Sequence, residues 1–225
     1  MDRFATMPWH RQWVARVRVD FWLKGVGITA FIWGFFVAYF WLLRNPFFPV
    51  AVMPTTPPDD WISFAPASLG LYLTLWVYVT FPPSLIVDRA QLVRYGIAAA
   101  LLCGTGLLIF LFWPSAVPAG LVSEAEQLSA GFALLKGIDA AGNAFPSLHV
   151  ATAVFSAFWL DRLLRQMNAG VLVRGINVAW CCGIVYSTLA TKQHVFLDAL
   201  SGTILGIVAA WLSLAWISAR PPGIR

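Results

Sequence analysis

Long apolar runs separated by short polar segments dominate the chain and predict its helices. Six runs each approach the roughly 20 residues that a helix needs to cross a bilayer. They cover residues 25–43, 64–87, 95–113, 146–164, 171–190 and 195–217. In the longest loop, Ser123 and Glu126 form a capping-box pattern that predicts a short helix over residues 123–136. The pattern as a whole predicts an all-α fold built as a bundle of six transmembrane helices.

The segment before the first run has a different pattern. Its apolar positions recur at helical spacing, with arginines between them: Trp9, Trp13, Val17 and Phe21. This predicts an N-terminal amphipathic helix over residues 9–24 that lies in the membrane interface. A basic leader that only fixes the orientation of the chain is the alternative. Because the first 24 residues lack a continuous apolar core, we expect no cleavable signal peptide.

Composition strengthens the membrane interpretation. Of the 225 residues, 60% are hydrophobic and 11% are charged, whereas soluble domains have about 25% charged residues. The 12 tryptophans suit an aromatic belt at the membrane interface. We therefore expect one integral membrane domain over residues 1–225, with an N-terminal segment over 1–24 and a six-helix core over 25–218. The net charge of +5 is explained by Lys and Arg residues concentrated on one side of the membrane, so no nucleic-acid partner is expected.

The basic residues are distributed unevenly between the two sets of loops. With the N-terminus inside, the inner segments hold 12 of the 15 Lys and Arg residues: Arg3, Arg11, Arg16, Arg18, Lys24, Arg89, Arg94, Arg162, Arg165, Arg174, Arg220 and Arg225. The outer segments hold the other three, which are Arg44, Lys136 and Lys192. Because cytoplasmic loops are enriched in Lys and Arg, both termini are predicted to be cytoplasmic.

One of the three histidines, His194, precedes the last apolar run. Asp198 follows it by four residues. If that run is helical from its start, the two side chains share a face and the carboxylate can orient the imidazole. An ionisable pair at the mouth of a membrane helix indicates a functional site. The alternative is an interfacial histidine with a snorkelling lysine beside it.

A second histidine, His149, lies just inside the start of the fourth run. Pro146 stands at the first turn, and Asn143 or Ser147 can supply a capping oxygen. The two histidines are 45 positions apart. Two membrane-spanning helices joined by a polar turn fit between them, so the chain returns to the same membrane face. Both imidazoles are therefore predicted at one rim, which the charge distribution places on the periplasmic, lumenal or exterior side.

These two stretches resemble the motifs of the type 2 phosphatidic acid phosphatase superfamily. That family carries Pro-Ser-Gly-His and, later in the chain, Ser-Arg-x5-His-x3-Asp. Here the corresponding stretches are Pro146-Ser147-Leu148-His149 and Ser187-Thr188-x5-His194-x3-Asp198. Leu148 replaces the family's glycine, and Thr188 replaces its arginine. Phe-Pro-Ser-Leu-His and Thr-Lys-Gln-His look like the branch of inositol phosphorylceramide synthases and their bacterial relatives, which favours a bacterial cytoplasmic membrane with the site facing the periplasm.

The resemblance implies phosphoryl chemistry on a membrane lipid. By position, His194 is the nucleophile that forms a phosphohistidine, Asp198 orients it, and His149 protonates the leaving alkoxide. The start of the fourth helix supplies N–H donors for the phosphate. The candidate phosphate-binding residues are Ser147, Leu148, Ser187, Thr188 and Lys192. No metal ion or other cofactor is expected, and the oligomeric state stays open.

The family's basic motif ahead of Pro-Ser-Gly-His is missing from its expected position, residues 114–120. Positive charge for the phosphate is therefore expected from Lys192, with Lys136 and Arg44 as the other outer cations. Three functions stay open. The first is a lipid phosphatase, and the second is a phosphotransferase that passes a phospho-headgroup to an acceptor alcohol such as a ceramide or diacylglycerol. The third is an inactive relative that binds a lipid or a partner protein.

Overall fold

The computed structural model describes Phe4, residues 6–121 and residues 142–218, and these parts are mostly helical. The α-helices are α1 Trp9–Arg18, α2 Phe21–Arg44, α3 Pro57–Trp61, α4 Leu69–Leu73, α5 Leu75–Tyr78, α6 Phe81–Leu85, α7 Arg89–Phe112, α8 Leu148–Gln166, α9 Val171–Ala190 and α10 Phe196–Ser218. A 3-10 turn, Pro66–Ser68, precedes α4. The short strands β1 Ala51–Val52 and β2 Ser115–Ala116 pair in parallel. The helix predicted over residues 123–136 lies outside the described residues.

Four helices in the described part of the chain are long and apolar enough to cross a membrane: Phe21–Arg44, Arg89–Phe112, Val171–Ala190 and Phe196–Ile217. The protein is therefore a mostly helical, multi-pass membrane protein of the all-α class. Helix α8 has 19 residues and is less apolar, since Asp161 and Arg165 lie near its end. It is nevertheless a central helix, with α7, α9 and α10 packed around it. The count of six spans stays a prediction.

The predicted second span, residues 64–87, is helical but divided. It consists of the 3-10 turn followed by α4, α5 and α6. The divisions fall at Thr74 and Thr80, whose hydroxyls donate to the carbonyl oxygens three residues earlier at 2.6 and 2.7 Å. Such bonds compete with the regular α-helical ladder. Pro82 and Pro83 then lack backbone N–H groups, so they fit only in the first turn of a new helix.

The boundaries of two other predicted helices differ from the structure. Helix α1 ends at Arg18, because Asp20 adopts the left-handed conformation with φ of 50° and α2 begins directly after it. Helix α7 begins at Arg89 rather than at Tyr95. Its start is capped by Asp88, whose carboxylate accepts a hydrogen bond from the Gln91 N–H at 2.7 Å. The charged residues that precede the third apolar run, Arg89 to Arg94, are therefore the first part of the helix.

The apolar side chains of α1 pack against the helical core of the protein. Trp9, Trp13 and Val17 contact the cluster of buried residues that the other helices form. On the same helix, the Gln12 side-chain amide donates to the backbone carbonyl of Met167 at 3.3 Å. The helically spaced apolar residues of α1 therefore make contacts within the protein. A position of α1 in the membrane interface stays a prediction.

Helices α8 and α10 pack closely at two glycines. A Cβ atom at Gly206 would lie 2.6 Å from the carbonyl oxygen of Ala151, and one at Gly202 would overlap the carbonyl oxygen of Ser147. Small residues at such positions let two helix backbones approach. Gly202 and Gly206 therefore allow close packing of α8 and α10, which brings the starts of both helices to one end of the bundle.

Candidate active site

The two histidine motifs meet through their backbones. The Ser147 N–H donates to the backbone carbonyl of Asp198 at 3.1 Å. The Ser147 hydroxyl oxygen caps α8 by accepting from the Val150 N–H at 3.3 Å. Asp198, at the third position of α10, accepts from the Val195 N–H at 3.1 Å. Each motif therefore starts a helix, and the two helix starts are held side by side.

His194 and Asp198 face each other at the beginning of α10. His194 lies two residues before the helix and not within it, so the pairing depends on the turn as well as on helical spacing. The His194 Nδ1 atom is 3.7 Å from Asp198 Oδ2, and the side chains are 10% and 0% exposed. This distance exceeds that of a hydrogen bond. Contacts of this kind often shorten when substrate binds.

Two polar atoms of this pair have no hydrogen-bond partner in the described part of the structure. They are His194 Nδ1 and Asp198 Oδ1, and both are buried. A buried polar atom without a partner is costly, and such costs are concentrated at functional sites. Because the Asp198 carboxylate faces Nδ1, the other ring nitrogen of His194, Nε2, is the one available to react.

His149 lies in the first turn of α8 and is held by aromatic rings. Its imidazole stacks on Tyr72, with ring centroids 4.0 Å apart and planes at 17°, and it meets Trp76 edge-on at 6.2 Å. The ring also forms a hydrogen bond with the Tyr72 backbone. Its Nε2 atom is buried and has no partner among the described residues. Tyr72 and Trp76 are contacts that no local sequence pattern indicated.

Both histidines line one cavity of about 780 Å³, within the range of ligand sites. Its walls come from α2, the divided segment α4–α6, α7 and α8, and they are mostly apolar. Near the histidines, the Asn143 side chain donates to the backbone carbonyl of Tyr39 on α2 at 3.3 Å. Lys24 is the one basic side chain among the described lining residues. It lies 15 residues before Tyr39, hence roughly 22 Å away along the helix.

Of the other predicted phosphate-binding residues, Leu148 lines the cavity and packs against Gly106 of α7. Ser187 and Thr188 are fully buried, and their hydroxyls donate to carbonyls of their own helix at 2.6 and 2.8 Å. The Thr188 carbonyl accepts the His194 N–H at 3.3 Å. These two residues therefore support the turn that carries His194, and phosphate binding by them stays a prediction.

Lys192 is bonded to the segment that contains Asp59 and Ile62. Its Nζ donates to the backbone carbonyl of Asp59 at 2.9 Å and to that of Ile62. Lys192 is not among the described residues that line the cavity. The structure therefore brings together Ser147, Leu148, His149, His194 and Asp198, whereas Lys192 anchors the neighbouring turn.

Asp59 contacts the start of α10, a role that the sequence did not predict. Its Oδ1 accepts the Phe196 N–H at 2.6 Å, at the first residue of α10. Its Oδ2 accepts from the backbone and hydroxyl of Thr56 at 2.7 and 2.8 Å. The spacing of Thr56 and Asp59 is a capping-box pattern that signals a short helix. No local signal indicates the bond to Phe196, which spans 137 positions.

No group of three or more His, Cys, Asp or Glu side chains in residues 4, 6–121 and 142–218 converges as a protein-bound metal ion would need. The three cysteines are unpaired: Cys103, Cys181 and Cys182. The site therefore consists of two imidazoles, one carboxylate and two helix starts at one end of an apolar cavity.

Fold and site together define a class: a multi-pass helical membrane protein with a two-histidine centre beside an apolar cavity. The model of the PAP2 superfamily matches residues 91–222, which is more than half of the chain and includes both histidine motifs. The chain belongs to the PAP2 superfamily, whose members are of phosphatase or phosphotransferase type. Comparison with curated proteins and with solved structures yields no match. The predicted superfamily is thereby confirmed, and the branch stays a prediction.

Proposed function

We propose that the protein is an integral membrane lipid phosphatase, which hydrolyses a lipid phosphate ester at the outer face of the membrane through a phosphohistidine at His194. The observation that carries the proposal is the joining of the two motifs by the bond from Ser147 to Asp198, with both imidazoles on the wall of one apolar cavity. An apolar cavity is suited to a lipid, and the imidazoles at its end are suited to the phosphate.

In the proposed reaction, His194 Nε2 attacks phosphorus and the bond from phosphorus to the lipid oxygen breaks. His149, as the imidazolium, gives a proton to the departing alkoxide. The neutral His149 then takes a proton from water as the water oxygen attacks the phosphohistidine. Inorganic phosphate leaves, and both histidines return to their starting states. Asp198 stabilises the positive charge that develops on His194, since it faces the other ring nitrogen at 3.7 Å.

The phosphate oxygens are proposed to bind at the start of α8. The first N–H groups of a helix have no acceptor within the helix, and Ser147 occupies only that of Val150. The N–H groups of Leu148 and His149 therefore remain as donors at the positive end of the helix dipole. The wall contact between Leu148 and Gly106 keeps this turn in place.

Charge for the phosphate is proposed to come from Lys192, the outer cation nearest to His194 in the chain. Two of its three N–H donors serve carbonyl groups of the loop, which leaves one for a substrate. Arg44 is a second source. It ends α2 and lies 5.8 Å from the ring centroid of Phe40, which lines the cavity. Lys136, the third, lies outside the described residues.

A phosphotransferase is the alternative, because an acceptor alcohol can replace water at the same phosphohistidine. The low exposure of His194, 10%, favours an acceptor that arrives from the membrane. The motif variants at Leu148 and Thr188 favour the headgroup-transferring branch. A further alternative is an inactive lipid-binding relative, supported by the lack of a basic side chain near the histidines among the described lining residues.

The proposed topology has six spans, with the divided segment and α8 crossing the membrane together with the four helices that are apolar enough on their own. Both termini are then cytoplasmic, and the histidines face the outside of a bacterial cytoplasmic membrane. The distribution of Lys and Arg supports this orientation. Lipid headgroups of the outer leaflet then reach the site without leaving the bilayer.

The test is phosphate release by the purified protein from a panel of lipid phosphates, with and without acceptor lipids. His194→Ala should abolish turnover, and His149→Ala should harm least those substrates whose leaving group needs no proton. His10→Ala is the matched control, because the third histidine is exposed on α1. Vanadate, which mimics five-coordinate phosphorus, should inhibit. Phosphate release at the parent rate by the His194 variant would refute the histidine mechanism, and no release from any lipid by the parent would favour the lipid-binding alternative.

A further inference from the structure

We propose that the cavity binds one hydrocarbon chain of the lipid substrate in an extended form, and that its depth sets the longest chain the enzyme accepts. This inference rests on the proposed function, because it takes the reacting phosphate to lie at His149 and His194. It adds a chain-binding site and a selectivity that the two histidine motifs do not specify.

The cavity follows one face of α2 over most of its length. Pairs of adjacent α2 residues line it at every fourth position, from Leu23 and Lys24 to Tyr39 and Phe40. A repeat of four residues keeps these side chains on one face of a helix. Leu23 and Phe40 are 17 positions apart, which is about 26 Å along the axis.

This length exceeds the depth of one membrane leaflet. The hydrocarbon core of a bilayer is about 30 Å thick, so one leaflet contributes about 15 Å. A chain that starts at the histidines and follows the cavity to Leu23 therefore passes the middle of the membrane. The opposite walls continue in the same direction, with α8 lining the half near the histidines and α7, from Cys103 to Leu92, lining the other half.

Polar side chains in the middle of the wall are satisfied by the protein itself. The Thr152 hydroxyl donates to the backbone carbonyl of Leu148 at 2.8 Å. The side chains of Tyr95 and Ser156 interact with each other. Because these groups already have partners, the surface that they leave to a ligand is apolar. A saturated or isoprenoid chain fits such a wall, whereas burial of a second polar group there would be costly.

Lys24 closes the far end of the cavity. It is 4% exposed, and its Nζ donates to the backbone carbonyls of Arg16 and Ser84, each at 2.8 Å. These carbonyls belong to α1 and α6, so the lysine is fixed between three helices. A longer chain would have to displace the ammonium group from its acceptors into an apolar space, at a large cost. Lys24 therefore limits the length of the hydrocarbon chain that the cavity can hold.

Two glycines near Lys24 allow the cavity to be shortened without disturbing the backbone. Gly27 of α2 and Gly96 of α7 both line the cavity, and a Cβ at either position meets no atom within 4 Å. Gly27→Leu and Gly96→Leu place a side chain in the deep half. The matched controls are Gly34→Leu and Gly104→Leu, on the same two helices, because these glycines also have open space but are not among the described lining residues.

The experiment compares the purified variants on a series of single-chain alkyl phosphates that differ only in chain length. For Gly27→Leu and Gly96→Leu, kcat/KM should fall by roughly 10-fold or more for the longest chains that the parent accepts, the scale for a mismatch in an apolar pocket. Short-chain phosphates should be hydrolysed at the parent rate. Both control variants should keep the parent's profile. An unchanged profile in both deep variants, with an active parent, would overturn the chain-binding site.

A second measurement does not depend on turnover. A lipid phosphate with a photoreactive group at the end of a long chain should label residues of α2 near Leu23 in the parent and in His194→Ala. In Gly27→Leu, the label should move toward Tyr39. Labelling confined to the outer end of α2 in the parent would refute the extended binding mode. A parent that releases no phosphate from any lipid but is labelled near Leu23 would contradict the proposed function and leave the chain-binding site standing.

Discussion

The backbone N–H of Ser147 donates to the backbone carbonyl of Asp198 across 3.1 Å, and this bond joins the two sequence motifs of the site. It is possible because Gly202, one turn further along α10, has no side chain to collide with the Ser147 carbonyl oxygen. Helix α8, which carries His149 in its first turn, is thus fixed against α10, which carries Asp198.

Asp198→Asn should reduce turnover by roughly 100-fold or more, because the amide cannot stabilise the charge that develops on His194. The fold should survive, since the bond from Ser147 uses the backbone of residue 198 and the substitution nearly preserves shape. Phosphate release and thermal unfolding of the purified variant measure the two effects. Asp60→Asn, at an exposed position, is the control. Full activity of Asp198→Asn would show that the carboxylate charge has no part in the reaction.

Gly202→Ala should destabilise the protein by about 1–3 kcal/mol, the usual cost of overpacking. Its added methyl group would overlap the Ser147 carbonyl oxygen, so α8 and α10 would have to separate. Turnover should fall as well, because the two helix starts would move apart. Thermal unfolding in detergent gives the stability. Gly175→Ala on α9, where a Cβ meets nothing within 4 Å, should unfold no earlier than the parent. Equal behaviour of the two variants would contradict the close packing.

Lys192→Ala should lower turnover by an order of magnitude or more, the scale for a lost charge-stabilising donor. It should cost more than Asp59→Ala, which loosens the same turn by removing the acceptor of the Phe196 N–H but leaves the lysine charge in place. Turnover of both variants and of the double variant separates the two effects. If Lys192→Ala lowers turnover no more than Asp59→Ala does, the lysine only anchors the turn. Arg44 and Lys136 are then the counter-charges to test.

The topology can be tested with cysteines introduced into a variant that lacks the three native ones. An impermeant thiol reagent applied to intact cells should label Thr55→Cys and Glu124→Cys, since both loops are predicted outside. Arg165→Cys should react only after the membrane is permeabilised. Labelling of Arg165→Cys alone in intact cells would reverse the orientation, and the histidines would then face the cytoplasm.

The sequence by itself determined the membrane class, most of the helices and the superfamily. Apolar runs mark helices because a chain in lipid must satisfy its backbone within each segment. The fifth run, residues 171–190, matches helix Val171–Ala190 in full. The motifs around His149 and His194 could be recognised because they are short and local. Their order and spacing sufficed for the superfamily that the family comparison confirms.

Only the tertiary structure decided how these local pieces act together. The division of residues 64–87 depends on threonine hydroxyl groups that donate hydrogen bonds to carbonyl oxygens three residues earlier. The pattern of apolar residues does not predict such bonds. The bond from Asp59 to Phe196 and the stacking of Tyr72 on His149 join distant segments. The cavity is built by four helical walls whose lining residues extend from Leu23 to His149 and beyond. Contacts of this kind arise from packing, which local periodicity does not encode.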